Sequence, residues 1–576
     1  MPSSKTLSIC VAQLNPVVGD VQGNLAQALQ AAAQAQAQGC QLLVLPELFL
    51  SGPGAGDLLC RPLFLQDCAQ ALQQLVAASA QWPQLHIMLG HPEALAQPGP
   101  EATASALQPL PRPLACNAAS LIGAGQVLAR WRQQGGQGGE QRHFMGSPLG
   151  AQPEVATVQG LPLALLIGAD VWQAELAQQA RQAGARLLLA LDASPFAQGR
   201  PAQRAAALGA CAQAAGLPLL YANTVGGQDE LVFDGHSLAV QAGGQVAGWA
   251  PGFAACLWPL QLHCAPESAG GPGQWQVAAQ QSHAPGDALL QIWQALVLAT
   301  RDYARKNGFG QVLLGLSGGL DSALALALAV DALGAQQVHA VMMPSPYTAA
   351  ISLEDSREMV RRLGVRYDEI SIREPFETLQ CSLAPLFGQR PVDATEENLQ
   401  ARIRGVLLMA LSNKFGGLLL TTSNKSEVAM GYSTLYGDMC GGFAPLKDLY
   451  KTEAFALARW RNAHVPPCAL GQAVAQPIPE RIITRPPSAE LRENQTDQDS
   501  LPPYEVLDAI VRLRVEQECS ADDIVAAGHP RERVEQVLKL LRISEYKRQQ
   551  SAPGPKLSAR SFGLDWRYPI TNGYKR

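Results

Sequence analysis

At 576 residues, 47% of them apolar and 16% charged, the chain is too long for one core and too apolar for general disorder, so two domains are expected. A net charge of -5 leaves no basic footprint, which argues against nucleic acid as a partner. No run of about 18 uncharged apolar residues occurs, and Met1–Asn15 carries one Lys and no long apolar stretch, so neither a membrane span nor a leader is expected and the cytoplasm is the expected location. The 12 Cys show no CxxC pair and no Cys/His spacing of zinc type, and they read as mostly buried, reduced thiols.

In chain order, an apolar strand (Ser8–Gln13) leads to an Ala/Gln-rich helix (Asn24–Gln38) and a strand (Leu42–Leu45) ending at Pro46-Glu47. This is the alternation of a layered α/β domain. Further strands are expected at Leu161–Ile167, Arg186–Leu191 and Leu217–Asn223. Residues 97–113 and 133–139 are rich in Pro, Gly and Gln and read as surface loops. A Pro/Gly/Ser-rich passage between Ala265 and Gly286 separates the halves, and the expected domains are 1–270 and 271–576. The second half opens with a helix (Leu289–Asn307), a strand (Gln311–Leu316), a Gly-rich loop, an apolar helix (Ser322–Leu333) and a strand (Val338–Met343). Strand, glycine loop and helix in that order suit nucleotide binding on a parallel sheet.

The loop reads Gly315-Leu316-Ser317-Gly318-Gly319-Leu320-Asp321-Ser322. Its backbone N–H groups and the following helix dipole can hold phosphate oxygens, and its glycines let the backbone come close. No Lys precedes the terminal Ser, so it is not a Walker A loop, and it is not a dinucleotide fingerprint. Asp321 suggests a Mg²⁺ ligand, because a leaving pyrophosphate needs its charge neutralised. A tight turn capped by Ser322 is the bland alternative; the full word in its strand–loop–helix setting favours phosphate. The word resembles the pyrophosphatase-loop ATP family, whose members activate a carboxylate or carbonyl as an adenylate. GMP synthetase, asparagine synthetase and tRNA-thiolating enzymes belong there too, and the loop alone does not choose among them.

Three downstream words, Asn398–Gly405, Thr421–Glu427 and Gly431–Asp438, closely resemble the NAD synthetase signatures. That resemblance implies an adenine nucleotide alpha-hydrolase-like parallel sheet and ATP-dependent amidation of deamido-NAD to NAD through an adenylate. It implies that Gly315, Ser317, Gly318, Gly319, Asp321, Ser322, Thr422 and Lys451 meet ATP, and that Asp321 and Glu427 hold Mg²⁺. Asn398, Glu427, Asp438 and Lys547 would meet deamido-NAD, with Asp321, Glu427 and Lys451 carrying the catalysis. It further implies a homo-oligomer with a synthetase-domain dimer. Chemistry independently suits these roles, since two carboxylates can hold a metal against a triphosphate while a Lys stabilises charge on the transferred phosphoryl centre. Read alone, Lys451 is as easily a solvated Lys and Thr422 a helix cap. A nucleotide-binding regulator without turnover is the reading from another class, and it has no need of both carboxylates around a metal.

The first 270 residues resemble the nitrilase-type glutaminase domain, an αββα sandwich with a Glu, Lys and Cys triad. The Glu matches Glu47 in Leu45-Pro46-Glu47-Leu48. The word around the family's nucleophilic Cys reads Ile167-Gly168-Ala169-Asp170-Val171-Trp172, which puts Gly168 in place of the thiol. The Lys position, after Arg130-Trp131-Arg132, holds Gln133, and the only lysine between Met1 and Arg305 is Lys5. Arg stays protonated and is no substitute. Arg200, after Ser194-Pro195-Phe196, matches a glutamine-binding Lys. Deleting nucleophile and Lys together leaves only binding and geometry, so glutaminase activity is expected to be absent and free ammonia to be the nitrogen donor. The alternatives are Cys116 or Cys211 as a substitute nucleophile, or a separate glutaminase protein. The retained strands and the segment Gly226–Glu230 indicate that this domain still folds, as an assembly or regulatory scaffold.

Overall fold

The computed structural model describes residues 5–95, 115–135, 143–146, 154–264, 274–470, 474–493, 495–499 and 501–574. The expected loops at 97–113 and, in large part, 133–139 lie outside them. The chain forms two compact units, one running up to Gln228 and over Phe233–Gly286, the other comprising Asp229–Val232 and everything from Asp287 onward. Residues 274–286, placed in the second domain by the division at 270, therefore group with the first. The reason is the strand Trp275–Ala279, which pairs antiparallel with Cys256–Cys264 and completes the edge of the first unit's sheet.

The first unit holds two large sheets. One has seven strands in the order Trp275–Ala279, Cys256–Cys264, Thr6–Gln13, Leu42–Val44, His86–Ala94, Ala115–Gly123 and Gln126–Arg132. The other has six, in the order Val246–Trp249, Leu238–Val240, Leu219–Asn223, Leu187–Asp192, Leu161–Ile167 and Val155–Val158. Alternate side chains of both sheets, among them Ile9, Val11, Val44, Leu121, Leu163, Leu189 and Leu220, share one apolar core. Helices cover the outer faces: Val21–Ala37 and Pro62–Ser79 pack on the first sheet, and Ala174–Gln182 and Arg200–Ala215 on the second. This is the expected αββα sandwich, a consequence of strands that bury both faces.

The second unit is built on a four-stranded, all-parallel sheet in the order Arg366–Glu369, Val338–Met342, Val312–Gly315, Leu418–Leu420. The helix Leu320–Leu333 is buried nearly all round, which explains its Ala/Leu composition and fixes the direction of its first turn. Sequential parallel strands joined by helices place the cleft at the carboxyl ends of the strands.

Candidate active site

Three helix N-termini converge on one cleft of the second unit. Asp321 lies in the first turn of Leu320–Leu333, Glu427 in that of Lys425–Met430, and Lys451 opens Lys451–Ala463. Their aligned N–H groups and positive dipole ends favour an anionic ligand. The loop before the first helix is braced internally: Ser322 Oγ donates to Gly319 O at 3.0 Å, and Gly319 N donates to Ser317 Oγ at 3.2 Å. Gly318 has φ +79°, and a Cβ there would sit 2.6 Å from Ser352 O, so only glycine fits both the left-handed backbone and the close approach. Its carbonyl accepts from Arg485 at 3.1 Å.

Lys451 Nζ lies 2.5 Å from Asp321 Oδ2 and 3.2 Å from Glu427 Oε1. The other Asp321 oxygen accepts from Asn424 Nδ2 at 3.0 Å, while Asn424 also caps the Glu427 helix. Asp497 adds a third carboxylate and accepts from the Tyr504 hydroxyl at 2.7 Å. Although burial opposes its charge, Asp321 and Glu427 hold the Lys451 ammonium well above its ordinary range. Burial pushes Glu427 from 4.5 up to about 8, with Asp321 and Asp497 adding to the effect and Lys451 opposing it. Three carboxylates around one ammonium leave an excess of hard oxygen donors, which fits Mg²⁺.

A pH dependence follows. The folded state holds a proton on Glu427 that the unfolded chain has released, so this group's stabilisation is complete below about pH 4.5 and is lost as pH rises to about 8. Between about pH 5 and pH 9 the ligand-free protein's unfolding midpoint is expected to fall more steeply than that of Glu427→Gln. Parallel profiles for the two proteins would refute this.

The cleft is lined by Gly315, Ser317, Gly319, Asp321, Ser322, Thr422, Glu427, Asp438 and Lys451 among the residues expected at the site. Asp438 accepts from Thr434 N at 2.7 Å and is raised by burial to about 6. Three expected residues lie beside the cleft rather than in its lining. Gly318 packs on Ser352, Asn398 Oδ1 accepts from Thr434 Oγ1 at 2.7 Å, and Lys547 Nζ donates to Gly431 O at 2.7 Å and Ser433 O at 2.6 Å. Arg404, Arg485, Glu490 and Asp497 line the cleft without having been singled out. Arg404 stands inside the word Asn398–Gly405, but no spacing in the sequence ties the other three to the loop at 315–322.

In the first unit, Glu47, Gln133 and Gly168 meet. Gly168 follows the strand Leu161–Ile167 with φ +52°, and a Cβ on it would lie 2.5 Å from Glu47 Oε1 and 3.1 Å from Gln133 Nε2. Glu47 is buried and accepts from Asn117 Nδ2 at 2.5 Å and Ala193 N at 2.8 Å. Asn117 Nδ2 also donates to Gln133 Oε1 at 3.1 Å. Among the described residues no thiol or amine belongs to this group. Arg200 is exposed at the start of its helix.

The NAD synthase family profile matches residues 292–551 and the carbon-nitrogen hydrolase profile residues 8–255. A glutamine-dependent NAD(+) synthetase of Xanthomonas campestris pv. campestris is 46% identical over 577 residues, covering 99% of this chain and 98% of that one. The chain belongs to the two-domain NAD synthetase family. A Rhodobacter capsulatus relative with the same name is 44% identical over 572 residues, covering 98% of each chain. The structure of a glutamine-dependent NAD+ synthetase from Acinetobacter baumannii, in complex with adenosine diphosphate, matches with a TM-score of 0.74 at 38% identity over 99% of both chains. NAD synthase activity, with ATP as co-substrate, goes with this family. Among the described residues, no helix is long and apolar enough to cross a membrane.

Proposed function

We propose that this chain is an ammonia-dependent NAD synthetase whose nitrilase-like unit no longer hydrolyses glutamine. The observation that carries the proposal is the meeting of Glu47, Asn117 and Gln133 around Gly168, where the Cβ position that would bear a nucleophile is hemmed in by a carboxylate and an amide. The relatives are named glutamine-dependent, and their names describe those proteins. Thiols elsewhere do not replace the missing one: burial raises Cys116 and pushes Cys211 to about 11, which suppresses the thiolate. Cys40 is lowered to about 7 by the Cys10 thiol, but it is sealed in the core between sheet and helices.

In the second unit, the nicotinate carboxylate of deamido-NAD attacks the ATP α-phosphorus, and the bond to pyrophosphate breaks. Ammonia then attacks the acyl carbon, AMP leaves with the bonding pair, and the nitrogen sheds its proton to solvent. Asp321 and Glu427 would hold Mg²⁺, which neutralises triphosphate charge when bound. Lys451 is placed to offset the charge that develops on the phosphoryl oxygens, and the three helix N-termini orient the chain of phosphates. The roles of Thr422, Asp438, Asn398 and Lys547 toward the two substrates belong to the same proposal.

A synthetase-domain dimer is part of this reading. The helices Arg373–Phe387 and Ala394–Phe415 leave Leu386, Val392, Val406 and Met409 exposed at 80%, 78%, 68% and 37%, more apolar surface than a monomer ordinarily leaves on one pair of helices. Val406→Glu with Met409→Glu is expected to halve the mass measured by light scattering and to lower ammonium-driven NAD formation at least about tenfold. An unchanged mass would refute this interface.

The direct test of the nitrogen source uses glutamine labelled with ¹⁵N in its amide and unlabelled ammonium. The NAD carboxamide is expected to carry no label, and labelled NAD from the purified protein would overturn the proposal.

A further inference from the structure

The first unit carries a cluster of metal-binding side chains that its sequence spacing hides. Asp57, Cys60 and His143 each present one ligand atom, and the three atoms lie within 4.8 Å of one another. Asp57 and Cys60 stand three residues apart on the 3₁₀ turn Gly56–Cys60. Side chains at that spacing eclipse on a 3₁₀ turn, so the carboxylate and the thiol project from the same side. The opposite side is pinned down: Leu59, with Ala55, Leu65 and Ala115, forms a small buried apolar cluster against which Leu58 and Phe144 pack. His143 is brought in by its neighbours, since Phe144 bridges to Ala115 and Met145 N donates to Ala115 O at 2.9 Å. Its Nε2 lies 3.0 Å from Asp57 Oδ1.

We propose that Asp57, Cys60 and His143 form a structural site for a divalent transition metal, with Zn²⁺ as the ion of best fit and water completing its coordination. A thiolate, an imidazole and a carboxylate make a donor set for zinc, while the sulfur argues against magnesium or calcium. Two anionic ligands and one neutral one balance a dication. Tetrahedral zinc with bonds of about 2.0–2.3 Å keeps its ligand atoms roughly 3.3–3.7 Å apart, so the ion fits between the Asp57 and His143 atoms after a shift of a few tenths of an ångström, with Cys60 closing in. Binding releases the thiol proton to solvent. The bound ion would tie the turn at 56–60 to the strand-edge residues at 143–145. It has no part in the synthetase reaction, which uses other residues in the other unit.

The test uses the full-length protein, stripped with a chelator and desalted. It is expected to take up one equivalent of Zn²⁺, not displaced by excess Mg²⁺, and affinity is expected to fall at least about tenfold in each of Cys60→Ser, His143→Ala and Asp57→Asn. Substituted with Co²⁺, the wild-type protein is expected to show a thiolate-to-cobalt charge-transfer band that Cys60→Ser lacks. Thermal unfolding of each stripped variant checks that it folds, and Asp57→Asn, at an exposed side chain, is the variant least exposed to that risk. No stoichiometric uptake would overturn the site, and so would a cobalt band unchanged in Cys60→Ser, which would place the metal on another thiol.

Discussion

Given deamido-NAD and Mg-ATP, the purified protein is expected to form NAD with ammonium and to run at least about a thousandfold slower when ammonia-free glutamine is the nitrogen source. Hydrolysis of an amide by this kind of site needs a sulfur nucleophile beside a carboxylate and an ammonium. Here the carboxylate remains, but it is buried and committed to Asn117 and the Ala193 N–H, and Gln133 stands where the amine would be. Restoring the thiol alone, as Gly168→Cys, is expected to leave glutamine unused. The new side chain must push Glu47 aside at a left-handed backbone position costing about 1–2 kcal/mol, and no cation is there to steady a thiolate. Initial rates with each donor decide the matter. Comparable rates would mean that another thiol is active, and no turnover with either donor would sink the roles given to Asp321, Glu427 and Lys451.

Lys451→Met is expected to lower kcat/KM for ammonium-driven synthesis by a factor of roughly 10²–10³, the effect of removing one preorganised charge from a phosphoryl-transfer site. The same change leaves Asp321, Glu427 and Asp497 without their ammonium. Removing one partner of a buried pair costs about 3–5 kcal/mol, so the ligand-free variant is also expected to unfold at lower temperature. Mg-ATP should recover much of that stability without recovering the rate, which separates the loss of charge compensation from the loss of catalysis. A variant that keeps near-normal kcat/KM would show that the ammonium is a structural counter-charge only.

Much of the second unit was legible because its signals are local. The word at 315–322 needs only its own strand and helix, and the expected elements fall within a few residues of the observed ones, as with Leu289–Asn307 against Ala288–Lys306. The domain division was less legible: Pro, Gly and Ser at 265–286 look like a linker, yet Trp275–Ala279 finds a partner strand that no local pattern announces. Contacts made by tertiary folding were not readable at all. Asp497 reaches Lys451 from a segment with no periodicity, Asn424 spends its side chain on both Asp321 and a helix cap, and Lys547 turns to backbone carbonyls. Cys60 and His143 illustrate the same limit, since spacing rules find metal sites only when the ligands are near in sequence.

The Lys451 bridge carries one more consequence, for the choice of co-substrate. Without nucleotide the cleft is nearly self-compensated, its single ammonium already spoken for by carboxylates on two sides. A bare triphosphate arriving there meets fixed negative charge and must pull the lysine free unaided. A triphosphate that brings its own dication delivers a replacement partner to those carboxylates as it lands, and the lysine is released to the phosphates by exchange. The fold thereby acts as a charge filter that rejects nucleotide not yet complexed with metal before any chemistry begins.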